Sequence, residues 1–225
     1  MIAMKNVSLR AARGRPRAFD RGVALEAALR VFWRHGYDAT SLAELTAAMK
    51  ITPPSLYAAF GSKKELFLEA VALYAEMYGA SVPRALSEEP TARAAVSRVL
   101  LEFAAFASSP DHPLGCLMVH GAANCTPGSA EVEAALRERR AASEAALRRR
   151  IEQGIAEGDL PADTDAAALA KYYGAVIQGM SVQARDGASR EELERVAQAA
   201  LRAWPRRRRG AAPATRAARR ALPAR

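Results

Sequence analysis

Three helix-start signals crowd into the stretch Thr40 to Lys64, TSLAELTAAMKITPPSLYAAFGSKK, and nothing else in the chain constrains its folding so tightly. Ser41 and Glu44 form an S-x-x-E capping box: the serine oxygen takes the amide three residues on and the glutamate reaches back, so a helix begins at Leu42. Leu42, Leu45 and Met49 supply its apolar face, while Ala47 and Ala48 keep it slim enough for close crossing. A second helix begins after Thr52, with Pro53 and Pro54 in the first turn, where a missing amide costs nothing. Leu56 and Phe60 then point inward, leaving Pro53, Pro54, Ser55, Tyr57 and Ala58 outward. Gly61 ends this helix, and Ser62 with Glu65 reads as a capping box for a third.

Two short helices joined by a tight corner, the second presenting small and hydroxylated residues at its N-terminus, form a helix-turn-helix suited to a DNA major groove. The run ITPPSLYAAFGSKKELF, Ile51 to Phe67, resembles the tetracycline-repressor family of bacterial transcription factors, and the likeness extends from about Arg15 to Tyr74. Two positions depart from the family pattern. Lys50 occupies the corner where glycine is usual, and Ala59 stands where an aromatic residue or histidine often makes a phosphate contact.

The resemblance implies an all-α fold: an N-terminal three-helix helix-turn-helix DNA-binding domain followed by a helical ligand-binding and dimerisation domain. The boundaries expected here are a basic arm at 1–17, the DNA-binding domain at 18–64 with its motif at about 41–60, a regulatory and dimerisation body at 65–204, and a basic tail at 205–225. Expected DNA contacts are Ser55 and the Pro53 and Pro54 methylenes on base edges, with Tyr57, Thr40, Lys63 and Lys64 on phosphates and Ser41 and Thr52 beside them. Gly14-Arg15-Pro16-Arg17 places two guanidinium groups on a stiff leader that can enter the adjacent minor groove.

Charge partition supports this arrangement. The formal net charge is +9, yet residues 1–17 hold five basic groups and 205–225 hold eight, neither with an acid, leaving 20 basic against 24 acidic groups between them. The basicity therefore lives at the ends, where it would strengthen salt-dependent attraction to phosphates. No apolar run is long enough to cross a bilayer and the first residues lack an apolar signal core, so a cytoplasmic protein without a membrane partner is expected.

Along the remainder, Leu25, Ala28, Leu29 and Phe32 stripe a first helix opened by Asp20 and stopped by Gly36. The helix from Ser62 runs to about Ala80, where Ser81-Val82-Pro83 ends or kinks it. Further helices are expected at about 91–108, 114–121, 130–157 and 163–185, with a last one opened by the capping box Ser189/Glu192. The last two carry surplus apolar surface, so Leu169, Ile177, Met180, Leu193, Val196 and Leu201 are expected in a four-helix homodimer interface, which a palindromic operator with half-sites about 34–36 Å apart requires.

No nucleophile elbow, zinc-protease, P-loop or dinucleotide signature is present, and neither an enzyme nor a cofactor is implied. Phe103, Phe106, Cys116, Leu117, Met118, Tyr172, Tyr173 and Val176 are the candidate walls of an effector pocket. His112, Cys116, His120 and Cys125 leave two other readings, a metal sensor or a thiol sensor in which His120 favours the Cys116 thiolate. The function expected is a ligand-responsive transcriptional repressor released from its operator by a small molecule; the alternatives are a redox or electrophile sensor using Cys116 and a constitutive architectural DNA-binding protein.

Overall fold

The computed structural model describes residues 19–123 and 125–206, and within them the regular elements are helical. They are α1 (Arg21–His35), α2 (Leu42–Met49), α3 (Pro53–Phe60), α4 (Lys63–Tyr78), α5 (Ser81–Glu88), α6 (Ala92–Ala107), the single turn α7 (Leu117–His120), α8 (Ala130–Ala156), α9 (Ala166–Arg185) and α10 (Arg190–Leu201). A 3-10 turn at Pro127–Ser129 leads into α8. None of these helices is long and apolar enough to cross a membrane.

The start signals act locally. Asp20 accepts from the amides of Gly22 and Val23, and Ser41 and Ser189 complete full capping boxes with Glu44 and Glu192. At Ser62 only half of the expected box forms: its oxygen accepts from the Glu65 amide, while its own amide donates to the Phe60 carbonyl at 3.0 Å. The end of α3 has already supplied that amide with an acceptor, so Glu65 has no donor to reach back to.

Three expectations need correction. Past the stop foreseen at Ser81-Val82-Pro83 the chain forms a further two-turn helix, α5, where Pro83 sits in the first turn and its missing amide would have had no partner anyway. The helix foreseen at 114–121 is one turn at 117–120, because Gly115 with φ +77° holds the preceding chain in a left-handed corner. Finally, α9 starts at Ala166, capped by Asp165, and not at 163.

Two apolar cores result. The first joins Leu29, Phe32 and Trp33 of α1 to Leu45, Leu56, Phe60 and Phe67, and continues without interruption into Leu117 and Leu136 of α7 and α8. The second gathers α6, α8, α9 and α10 around Tyr173, with Val96, Leu100, Ile151, Met180, Leu193 and Trp204. Polar links fasten the N-terminal helices to the rest. The Tyr37 amide donates to the Gly121 carbonyl at 2.8 Å, and Arg185 Nη2 donates to the Arg34 carbonyl at 3.1 Å. Asp38 accepts from the Thr126 amide and the Ser129 hydroxyl, the latter bond being the main reason its carboxyl lies below its usual pKa.

Candidate nucleic-acid interface and effector cavity

Between α2 and α3 the chain turns through Lys50 at φ 54°, ψ 43°. The Ile51 amide donates to the Thr46 carbonyl and the Lys50 amide to that of Ala47, the paired bonds of a Schellman ending. A β-carbon in this left-handed position costs about 1 kcal/mol relative to glycine, and the lysine side chain stands in solvent at the corner.

Arg21 seats α3. Its guanidinium lies 4.4 Å from the Phe60 ring centroid, donates to the Ala59 carbonyl and pairs with Glu69 at 2.6 Å. With Leu56 and Phe60 buried, α3 turns Pro53, Pro54, Tyr57 and Ala58 outward; Tyr57 is 48% exposed. Ser55 is partly covered and its hydroxyl lies 2.9 Å from that of the capping Thr52. A short, backed helix with a small, uncharged leading edge fits the geometry of groove entry.

The side chains foreseen on phosphates divide. Thr40 is turned inward, 1% exposed, donating its hydroxyl to the Gly36 carbonyl at 2.6 Å; it ties the α1–α2 corner and does not face outward. Ser41 is exposed but committed to its cap with Glu44. Lys63 lies 4.5 Å over the Tyr37 ring, and partial burial lowers its pKa. Lys64 forms an exposed pair with Glu131 at the start of α8. Arg15 and Arg17, and most of the basic tail, fall outside the described residues.

Behind this head, a cavity of about 810 Å³ opens between α4, α5, α6, α8 and α9. Phe103, Phe106, Cys116 and Met118 line it as foreseen. Four other candidates do not. Leu117 belongs to the first core, Val176 packs with the second, and Tyr173 is fully buried there with its hydroxyl donating to the Ala200 carbonyl. Tyr172 is 40% exposed on the outside of α9. The helix presents Gly174, Ile177 and Gln178 to the cavity instead, a rotation that apolar periodicity alone does not specify. Sequence reasoning also missed Tyr74, Tyr78 and Val99; α8 adds Arg139, Arg140, Arg149 and Arg150 to the lining, of which Arg139 and Arg149 stay exposed while Arg150 is buried.

The cysteine and histidine cluster is dispersed. His112 stacks on Trp33 at 4.7 Å, and His120 Nε2 lies 2.9 Å from Ser181 Oγ and makes no hydrogen bond to the Cys116 sulfur. Among the described residues no group of His, Cys, Asp or Glu is placed to hold a metal ion. Cys116 Sγ accepts from the Tyr74 hydroxyl at 3.2 Å, and burial pushes its thiol pKa up. Such a thiol stays protonated and serves as wall; the expected help from His120 is absent.

The dimer candidates divide as well. Met180 and Leu193 are spent inside the second core, Ile177 faces the cavity, and Leu169 and Leu201 are half-buried. Val196 is exposed on the outer face of α9 and α10, which also shows Tyr172, Ala175, Gly179, Val182 and Ala199.

A helix-turn-helix head fused to a cavity-bearing helical body defines a DNA-binding regulator of the transcription-factor type. Residues 24–70 match the tetR family of bacterial regulatory proteins, and residues 92–200 match the tetracyclin repressor-like C-terminal domain. The chain belongs to the tetR family, whose members are transcriptional regulators and not enzymes. It is 38% identical over 194 residues to the HTH-type transcriptional repressor ComR of Escherichia coli (strain K12), an alignment covering 86% of this chain and 92% of ComR. The HTH-type transcriptional repressor BdcR of the same organism is 31% identical, over 80% of this chain and 86% of its own. Among solved structures, a cysteine-substituted TetR family regulator, CifR, complexed with 26-bp double-strand operator DNA superposes with a TM-score of 0.82 at 50% identity, covering 85% of this chain and all of that one.

Proposed function

We propose that this chain is a homodimeric repressor whose grip on a palindromic operator is loosened by a small molecule entering the cavity between α4 and α9. One observation carries the coupling. Of the cavity-wall residues, Met118 lies in the single turn α7 and Cys116 caps its start; Gly121 caps its end, and the Gly121 carbonyl holds the Tyr37 amide of the head. A ligand that shifts α7 therefore has a direct mechanical handle on α1 and on the corner leading to α2. The long helix α4 is a second link, since Tyr74 and Tyr78 face the cavity while Phe67 packs in the head core.

In the complex, Pro53, Pro54 and Ser55 would read base edges, with Tyr57 and a released Lys64 on phosphates. The apolar outer face of α9 and α10 would join two copies about a two-fold axis. The operator-bound relative supports the DNA end of this reading. Selection of bound sites from random DNA, followed by anisotropy titrations, tests it. Tyr57→Phe should weaken specific and random DNA by the same few-fold factor, whereas Ser55→Ala should change base preference. Equal effects of both variants on both kinds of DNA would overturn the division of roles.

A further inference from the structure

The corner of the helix-turn-helix carries a strain that the fold alone does not offset. Among the described residues Lys50 is the one residue other than glycine with positive φ, at φ 54°, ψ 43°. A glycine takes this left-handed backbone freely, whereas any β-carbon is crowded there, and strain of this kind persists where it serves a site. The paired bonds from the Lys50 and Ile51 amides to the Ala47 and Thr46 carbonyls hold the corner in that shape.

The side chain gains nothing from the protein in return. Lys50 is exposed and makes no hydrogen bond or ion pair among the described residues. The cations near it in the motif are committed: Lys63 lies 4.5 Å over the Tyr37 ring, Lys64 pairs with Glu131, and Arg21 behind α3 pairs with Glu69 at 2.6 Å. Along the leading edge of α3 the exposed residues Thr52, Pro53 and Pro54 are uncharged. Lys50, two positions before the capping Thr52, can therefore reach an anion without breaking a contact of its own.

Its place relative to DNA follows from the way such motifs dock. The first helix of the pair crosses the sugar-phosphate backbone and the second enters the groove by its N-terminus, so the corner between them lies at the groove rim, beside a phosphate. From this combination we infer that Lys50 is a phosphate contact, its strained backbone offset in the complex by an ammonium–phosphate pair. The contact holds the motif in register and adds affinity without reading sequence. It rests on the proposed entry of α3 into the groove.

The test uses the full-length chain, its selected operator and a random duplex of equal length, in anisotropy titrations across about 50–200 mM salt. Each ammonium–phosphate pair steepens the fall of log affinity with log salt by about 0.9, so Lys50→Gly and Lys50→Asn should each make the slope shallower by roughly 1.8 on a two-subunit operator complex. Both duplexes should weaken by the same several-fold factor. Lys50→Arg keeps the charge and should keep the slope. Arg84→Gln removes one charge from the body, from an exposed pair with Glu88 on α5, and should leave the slope unchanged. Glycine and asparagine both accept the left-handed corner, so urea midpoints should show neither variant less stable than the unaltered chain, which separates a lost contact from a lost fold. A slope unchanged by Lys50→Gly and Lys50→Asn, an equal fall with Lys50→Arg or Arg84→Gln, an affinity loss confined to the operator, or a stability loss that accounts for the weaker binding would overturn the inference. Ser55→Ala on the same duplexes keeps the two readings apart. Altered base preference with no effect of Lys50 on the slope leaves groove entry standing and removes Lys50 from the phosphates; a Lys50 effect with base preference unmoved does the reverse.

Discussion

The head and the body of this protein are held together in opposite ways. In the head, α2 and α3 have eight residues each, too short to persist alone, so each is fixed by a side-chain cap at its start, a shaped ending, and a buried pair beneath it. In the body, α6, α8 and α9 have 16, 27 and 20 residues and rely on long apolar faces, yet they leave some 810 Å³ unfilled between them. A head with no slack keeps its reading edge fixed relative to α1 and α4. A body with a cavity can repack, and in the proposed function the links at Tyr37–Gly121 and along α4 would convert that repacking into movement of a rigid head.

The largest expected effect tests that contrast in packing. Phe32 is fully buried and meets Phe67 edge-on at 5.0 Å, so Phe32→Ala should cost about 3–5 kcal/mol in urea unfolding and abolish specific DNA binding. Phe103→Ala, at the cavity wall, should cost well under half of that, because part of its surface already faces a void. Equal costs would mean that the body is packed as tightly as the head.

A smaller effect belongs to the corner. Lys50→Gly relieves the left-handed strain and should stabilise the chain by roughly 1 kcal/mol at most, offset by the greater freedom of an unfolded glycine. A loss of stability would show that the lysine side chain contributes a compensating contact.

The smallest effect concerns pH. Burial is the main reason that the His120 pKa lies below its ordinary 6.5. The folded state therefore takes up a proton less readily than the unfolded chain; the stability associated with neutral His120 is complete above about pH 6.5 and is lost as pH falls below it. Urea midpoints measured from pH 7.5 to 5 should show this slope, and His120→Gln should flatten it. An unchanged slope would place the titration elsewhere.

Much of the head was legible because its determinants lie within a few residues of each other. Ser41 with Glu44, Thr52 before Pro53-Pro54, and Gly61 before Ser62 each declare a helix end through bonds spanning three or four positions. Thr40 escaped this logic: whether its hydroxyl met water or the Gly36 carbonyl depended on how α1 and α2 close against each other. The same holds for Lys64, whose partner Glu131 lies 67 positions away.

By itself, then, the sequence determined most of the helices and their ends and the outward face of α3, since capping and amphipathic spacing are local properties of the chain; α5 was not among them. Only the tertiary structure decided which way α8 and α9 are rotated about their own axes. On a helix each residue turns the side chain by about 100°, so one position separates a cavity wall from a filled core. That rotation puts Ile177 beside the void and Tyr173 out of it, and it turns Arg150 from a solvated charge into a buried cation.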